Sequence, residues 1–409
     1  MALTRAERKS NSYNGAQDPT DSSKVRRNTR LESLNLNWSE RELPERIRTK
    51  HVHRLHPYLG KFIPQLVEVF LRKYFKVGET VLDPFCGSGT TLVQANELGI
   101  NAVGFDISAF NVLLSKAKTA RYEVRKAARE IADICQKTRA AVRDDVQRSL
   151  FAADVKSPYV ASTTDLEYLK RWFAPRALNE LLRYRSLIDS EGYQYRDLLK
   201  VILCRSARSA RLTTHFDLDF PKEPQTRPYW CYKHSRECYP TSEALKFLER
   251  YSVDTARRIE AFDGLRSRAK VDVFHQDSRH YPPPPHDGVM TSPPYVGLID
   301  YHEQHAYAYA LLGLKDKREH EIGPATNGSS QKAKTVYKKD IIEVFRRALE
   351  TVRVGGRIIV VANDRADLYG EIASDLEVKV EAVVQRHVNR RTGRRSTDFF
   401  ESIFVWRGR

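Results

Sequence analysis

The sequence predicts an α/β fold carrying a largely helical insert, and three observations predict it. Short apolar runs end in acidic residues at Asp83, Asp106 and Asp277, the signature of strands that deliver carboxylates to one edge of a sheet. The first run passes through a glycine turn into a helical pattern. A long stretch of helical periodicity, 121–264, then separates the second acidic strand tip from the third.

Composition narrows the function before any motif is read. The 409 residues leave room for about two or three domains and a sizeable core. Hydrophobic residues make up 41%, and no run approaches the ~18–20 apolar residues of a membrane span. The start, Met1-Ala2-Leu3-Thr4-Arg5, lacks an apolar segment, so no secretory signal is expected. Five cysteines at irregular spacing fit a reducing cytoplasm better than a disulfide framework. The net charge of +17 favours a polyanionic partner, most simply nucleic acid.

Residues 1–50 are polar and punctuated by Asn, Ser, Asp and Gly, the pattern of a basic flexible arm. Its Lys and Arg suit either phosphate contact or simple solubility. Next, His51, His53 and His56 include a His-x-His step. Without a cysteine or carboxylate close in sequence, they are not read as a metal site. From Pro64, the apolar residues Leu66, Val67, Val69, Phe70, Leu71 and Phe75 fit a helix stopped by Gly78. Val81 and Leu82 form a short strand that delivers Asp83. Gly87 and Gly89 then let the backbone approach a ligand without a β-carbon in the way. After a helix through Leu92, Val93 and Leu98, Ala102–Phe105 makes a second strand and delivers Asp106. A carboxylate there can accept from both hydroxyls of a ribose. A lone Gly-x-Gly is a weak sign; strand, acid, Gly-x-Gly, helix, strand and second acid in one unbroken run is a strong one for a nucleotide-like cofactor.

The insert reads as helix through 110–149 and 167–212, with a thin apolar stripe at Ile131, Ile134 and Val142. Pro221, Pro224 and Pro228 break the pattern across 213–240, and helix resumes over about 242–267. Within the break, Cys231-x2-His234-x3-Cys238 offers three zinc-type ligands. His215 or Cys204 could complete a set only through the fold, and the sequence reading assigns no metal. Val271–Phe274 is the third strand, leading to Asp277. Pro282–Pro285 form a stiff spacer before the Val289-Met290 strand and Thr291-Ser292-Pro293-Pro294-Tyr295. A helix over Tyr301–Leu314 follows, then a helix over Ile341–Val352 with Gly355-Gly356 as its stop. Arg357–Val361 reads as a buried strand, and Val380–Val384 with Ser402–Trp406 as paired strands. These bracket Arg386, Arg390, Arg391, Arg394 and Arg395, of which the last four are the candidate DNA-binding residues. A phosphate-contacting loop and a solvated hairpin tip both fit them.

The Ser292 segment would suit methylation of an aromatic amine. An aromatic amine delocalises its lone pair into the ring and is a poor nucleophile. Two acceptors on its hydrogens draw the nitrogen towards tetrahedral geometry and release the lone pair for in-line attack on a methyl sulfonium. Ser292 Oγ and the Pro293 carbonyl are suited as acceptors. Pro293-Pro294 removes two backbone donors and stiffens the loop, and Tyr295 offers a face to an extruded base. Methylation of a cytosine ring carbon instead uses a Pro-Cys nucleophile, and no cysteine here follows a proline.

Together, Asp83-Pro84-Phe85-Cys86-Gly87-Ser88-Gly89-Thr90-Thr91 and Thr291-Ser292-Pro293-Pro294-Tyr295 resemble the cofactor and catalytic motifs of the amino-directed DNA methyltransferases. The resemblance covers roughly 51–119 and 270–409. It implies a Rossmann-like S-adenosylmethionine-dependent methyltransferase fold acting on double-stranded DNA by base flipping. The Ser-Pro-Pro-Tyr form implies the N4 of cytosine as target, with the N6 of adenine or an amino group of RNA as alternatives. A nucleic-acid-binding module without catalysis is the reading of a different class.

The same resemblance implies roles for individual residues. Lys61 and Phe62, in the segment from His56, would meet the methionine end of S-adenosylmethionine. Asp83, Pro84, Phe85, Gly87, Ser88, Gly89 and Thr90 would form the cofactor loop. Asp106 would take the ribose and Asp277 the adenine amino group, while Ser292, Pro293, Pro294 and Tyr295 would form the catalytic loop. A cognate restriction endonuclease acting on the same site, and a cytoplasmic location, are further implications. The expected organisation is the arm 1–50, a cofactor-binding half 51–120, a target-recognition insert 121–264 and a catalytic half 265–409. The insert precedes Asp277 rather than following it, a departure from the relatives' order.

Overall fold

Strands covered on both faces read as nearly continuous apolar runs, and those of this chain pair accordingly. In the computed structural model the described residues are 18–149, 166–215, 217, 221–388 and 399–408. Their strands are β1 (Thr80–Asp83), β2 (Asn101–Asp106), β3 (Tyr229–Cys231), β4 (Arg236–Cys238), β5 (Val271–His275), β6 (His286–Thr291), β7 (Val352–Ala362), β8 (Lys379–Val388) and β9 (Phe399–Arg407). The α-helices are α1 (Glu45–Arg48), α2 (Pro64–Tyr74), α3 (Thr90–Glu97), α4 (Ala109–Thr119), α5 (Val124–Ser149), α6 (Leu166–Trp172), α7 (Pro175–Ser190), α8 (Arg196–Ala210), α9 (Leu245–Asp263), α10 (Tyr301–Gln304), α11 (Ala306–Leu312), α12 (Gln331–Thr351) and α13 (Leu368–Asp375).

Seven strands form one sheet in the order β5-β2-β1-β6-β7-β9-β8. Pairing is parallel from β5 through β7 and antiparallel at β7–β9 and β9–β8. The chain winds outwards from β1 to β2 and β5, then restarts beside β1 at β6. This is the Rossmann-like methyltransferase arrangement expected, and the reversal opens a crevice at the C-terminal ends of β1 and β6.

Alternation along the strands feeds two cores. Val81, Met290, Ile359, Val361, Ile403 and Val405 pack with Leu66, Phe70 and Leu92 on one face. Leu82, Val289, Ile358, Val360, Phe404 and Trp406 pack with Ile341, Phe345 and Tyr369 on the other. The helices between β2 and β5 build a third core, in which Ala127, Ile131 and Ile134 of α5 meet Leu181, Leu198 and Ile259. The same core takes in Phe110 and Leu114 of α4 and Tyr307 and Leu311 of α11, so it is continuous with helices flanking the sheet.

The structure differs from the sequence reading at several places. Within the stretch read as a flexible arm, residues 18–50 are packed: Val25 and Leu36 are buried in the sheet core and Trp38 Nε1 donates to the Thr20 carbonyl at 3.0 Å. Apolar residues that are too sparse to show periodicity still bury well when each lands on a preformed surface. Gly355-Gly356 is not a helix stop but lies inside β7, which starts as α12 ends. There Gly355 has φ +72° and the β6–β7 register shifts between His286 and Gly288, so the glycines accommodate an irregular ladder. The 301–314 helix is divided at His305 into α10 and α11, and 213–240 contains the β3–β4 hairpin. Arg386 is buried, with its Nε 3.3 Å from Glu401 and its guanidinium over the Trp38 ring, so it is a packing residue. Arg390, Arg391, Arg394 and Arg395 lie outside the described residues. No helix among the described residues is long and apolar enough to cross a membrane.

Glu180 of α7 joins the third core's helices electrostatically. Fully buried, it accepts from the N–H groups of Ala244 and Leu245 (2.7 Å for the latter) at the start of α9, and pairs with Arg176 at 3.0 Å. Glu180→Ala would strand two N–H groups at a helix N-terminus and is expected to cost about 2–4 kcal/mol of unfolding free energy, read from the urea midpoint. A loss below about 0.5 kcal/mol would show that this carboxylate does not cap α9.

Candidate active site

The loop after β1 is shaped by backbone needs and held from beneath. Gly87 and Gly89 adopt φ of +49° and +77°, and a β-carbon on Gly89 would lie 2.8 Å from Ser115 Oγ. Ser115 Oγ donates to the Gly87 carbonyl at 2.8 Å, and the buried Lys118 ammonium donates to the Ser88 carbonyl at 2.7 Å. Both lie in α4. Neither was singled out from sequence, because a Lys in a Lys-Ala-Lys run reads as solvated.

The crevice holds a cleft that is partly open to solvent. It brings together Lys61, Phe62, Pro84, Phe85, Gly87, Ser88, Thr90, Asp106, Asp277, Ser292 and Pro294. Asp106 is braced on both oxygens: Oδ2 accepts from the Gly87 N–H at 2.8 Å, and Oδ1 from the Ser108 N–H at 2.8 Å and Asn111 Nδ2 at 3.1 Å. Burial pushes its carboxyl up to about 6. Lys61 reaches the cleft while donating to the His53 carbonyl at 3.1 Å, and burial lowers its ammonium to about 8. At Asp277 burial opposes ionisation, but the Arg279 guanidinium outweighs it and holds the carboxyl below the usual range. Arg279 does so through two near-parallel bonds, Nη2 to Oδ2 at 2.7 Å and Nε to Oδ1 at 3.0 Å.

Residues missed in the sequence also line this cleft. Tyr58 and Tyr301 stack with centroids 5.9 Å apart, and the Tyr58 hydroxyl accepts from Asn111 Nδ2 at 3.0 Å. Ser108, Asn111, Gln276 and Glu321 also line it. Tyr58 sits inside the His56–Phe62 segment, which was its one available signal; Tyr301 and Glu321 belong to segments without a motif.

Asp83, Gly89, Pro293 and Tyr295 do not line the cleft. Asp83 is a brace behind it rather than a ligand: Oδ1 accepts from Thr291 Oγ1 at 2.6 Å and from the Phe85 N–H at 3.2 Å. Thr91 Oγ1 donates to the Met290 carbonyl at 3.2 Å, so the two motifs are joined twice. Tyr295 faces a second cleft of about 1230 Å³, lined also by Val296, Leu298, Asn363, Asp364 and Phe399. Its hydroxyl donates to Glu401 Oε1 at 3.1 Å and its ring lies 6.3 Å from that of Phe399. Tyr337 fixes the loop between the clefts by donating to the Pro294 carbonyl at 2.9 Å.

A cofactor hydroxyl that donates to Asp106 requires the ionised carboxylate, so protons compete with the cofactor. S-adenosylmethionine affinity is therefore expected to be flat above about pH 6 and to fall by up to about tenfold per pH unit below it. Asp106→Asn is expected to bind weakly without that fall. Calorimetric titration across this range checks both, and an unchanged wild-type affinity at low pH would exclude Asp106 as the acceptor.

The family described as DNA methylase matches residues 4–117, and an RMKL-like methyltransferase domain matches residues 69–170. The type II methyltransferase M.MjaII of Methanocaldococcus jannaschii is 36% identical over 430 aligned positions, covering 88% of this chain and 81% of that protein. M.BsoBI of Geobacillus stearothermophilus, also a type II methyltransferase, is 21% identical over 71% of this chain and 58% of its own length. Among solved structures, TrmN from Thermus thermophilus aligns at 12% identity and a TM-score of 0.32, over 86% of this chain and 50% of that one, too distant to add to the sheet order. The chain belongs to the amino-directed DNA methyltransferases, enzymes that take their methyl group from S-adenosylmethionine.

Proposed function

We propose that this protein methylates the N4 of cytosine within a specific sequence of double-stranded DNA, on a base swung out of the helix. The observation that carries this reading is the place of Ser292–Tyr295. The segment is one wall shared by two clefts: Ser292 and Pro294 line the first, and Tyr295 opens the second. A donor in the first cleft and a base in the second would meet across Ser292 and Pro293.

Each residue has a task in that arrangement. Asp106 accepts from the ribose hydroxyls, and Lys61 pairs with the methionine carboxylate, which would restore the positive charge that burial disfavours. Asp277, oriented by Arg279, accepts from the adenine amino group. S-adenosylmethionine, when bound, supplies the electrophilic methyl. The Tyr295 and Phe399 rings hold the extruded base, while Ser292 Oγ and the Pro293 carbonyl accept from the cytosine amino hydrogens and aim its lone pair. No covalent nucleophile is needed.

Two further assignments complete the proposal. Arg390, Arg391, Arg394 and Arg395, on the segment joining β8 to β9, contact phosphates, and the 121–264 insert reads the target. The type II relatives support a restriction–modification setting, in which a cognate endonuclease acts on the same sequence.

Nucleoside digestion of DNA from cells expressing the protein tests the base directly. N4-methylcytosine is expected in the digest, and at one short motif when the intact DNA is sequenced with modified-base detection; N6-methyladenine would reassign the target, and no new mark would remove DNA as the substrate. Tyr295→Ala is expected to lose about 1–3 kcal/mol of stacking, roughly 5- to 150-fold in kcat/KM, without weakening the cofactor. Wild-type turnover by that variant would place the flipped base elsewhere.

A further inference from the structure

We propose that the insert contains a structural zinc site formed by His215, Cys231, His234 and Cys238. One ligand atom from each of the four lies within 4.8 Å of every other. Cys231 Sγ is 3.4 Å from His215 Nδ1 and 3.5 Å from His234 Nδ1, and His234 Nδ1 is 3.4 Å from Cys238 Sγ. Zinc bonds of about 2.3 Å to sulfur and about 2.0–2.1 Å to nitrogen, in a tetrahedron, require sulfur–nitrogen separations of about 3.6 Å. Three of the sulfur–nitrogen pairs already stand close to that spacing, and every pair lies within 4.8 Å.

Local structure shows how the chain assembles the set. Cys231 ends β3 and Cys238 ends β4, and the hairpin places both thiols on one side. His234 lies in the connecting turn, closed by its N–H donating to the Cys231 carbonyl at 3.0 Å and by Ser235 at φ +49°. His215 arrives from the segment after α8, and its ring meets that of His234 edge-on at 4.6 Å. Cys204, the other candidate for a fourth ligand, is instead buried in the helical core.

A second observation points the same way. Each strand of this hairpin has three residues, and Trp230, Tyr232 and Tyr239 are all exposed. Such a ribbon cannot hold itself together in water. Cys231 and Cys238 are buried, yet neither belongs to any of the three hydrophobic cores; beside their sulfurs stand the two imidazoles. A bound metal would supply the missing cohesion, with both thiols releasing their protons to solvent as it binds. Four protein ligands close the coordination shell, and none of the four lines either cleft, so the role is structural. The other convergent set, His51, His53 and Glu97, offers only three ligands, and its carboxylate is already paired with the Lys50 ammonium at 2.6 Å.

Full-length protein purified without added metal or chelator, and analysed by plasma mass spectrometry, is expected to contain one zinc per chain. Cys231→Ser and Cys238→Ser are each expected to lose it, while Cys135→Ser in α5 keeps it. Replacement by cobalt should give the visible spectrum of a tetrahedral site with thiolate-to-metal charge transfer. S-adenosylmethionine binding by the same samples reports whether the variants are folded, because the cofactor cleft is separate. Zinc retained in both serine variants would overturn the proposal. So would wild-type protein that carries no metal and, kept reduced, gives no cobalt spectrum.

Discussion

The hydrogen bond from Thr291 to the buried carboxylate of Asp83 is the contact on which the catalytic geometry rests. It joins the tips of two neighbouring parallel strands, one leading to the Gly87–Gly89 loop proposed to hold the cofactor and the other to the Ser292–Tyr295 loop proposed to carry catalysis. Burial raises Asp83 to about 6, so at neutral pH a charge sits in a dry place and is tolerated because Thr291 and the Phe85 N–H both donate to it. A buried charge held by donors from both motifs admits little movement of either strand tip. Methyl transfer tolerates little misplacement as well, since a shift of about 1 Å between reacting groups can cost on the order of a hundredfold in rate.

A similar economy governs the catalytic loop. Tyr337 holds the Pro294 carbonyl from one side, and the Tyr295 hydroxyl is tied to Glu401 from the other. Both anchors come from the second half of the chain, from α12 and β9, whereas the cofactor loop is propped by Ser115 and Lys118 of α4. Each loop therefore has its own support, and the Asp83–Thr291 and Thr91–Met290 bonds set one against the other.

What could be read from the sequence follows from how local each signal is. The strand tips and the glycine turn were legible, because apolar runs, φ requirements and acidic tips all act within a few residues. Asp83 was visible as a motif residue but its task was not, since its partner is 208 positions away. Tyr58, Tyr301 and Lys118 were hidden for the same reason: only the fold brings an aromatic pair to the cleft or a lysine beneath the Gly87–Gly89 loop. Gly355 and Gly356 misled because a glycine pair that ends a helix and one that eases a strand irregularity look alike in sequence. His215 lies 16 positions from Cys231, across a proline-broken stretch without periodicity, so the sequence could offer it only as one of two candidates beside Cys204, and the fold brings it to Cys231.

The third core has a bearing on how such enzymes diversify. Phe110 and Leu114 of α4 and Tyr307 and Leu311 of α11 share it with the helices between β2 and β5. The insert is thus not a cassette. A hybrid that exchanged only 121–264 between relatives would join two half-surfaces selected for different neighbours, and α4 would then transmit the mismatch to Lys118 and the cofactor loop above it. With the insert as target reader, the role proposed for it above, new sequence preference is more readily gained by changing its exposed residues one at a time than by transplanting it whole. The natural unit of exchange is the helical layer together with α4 and α11.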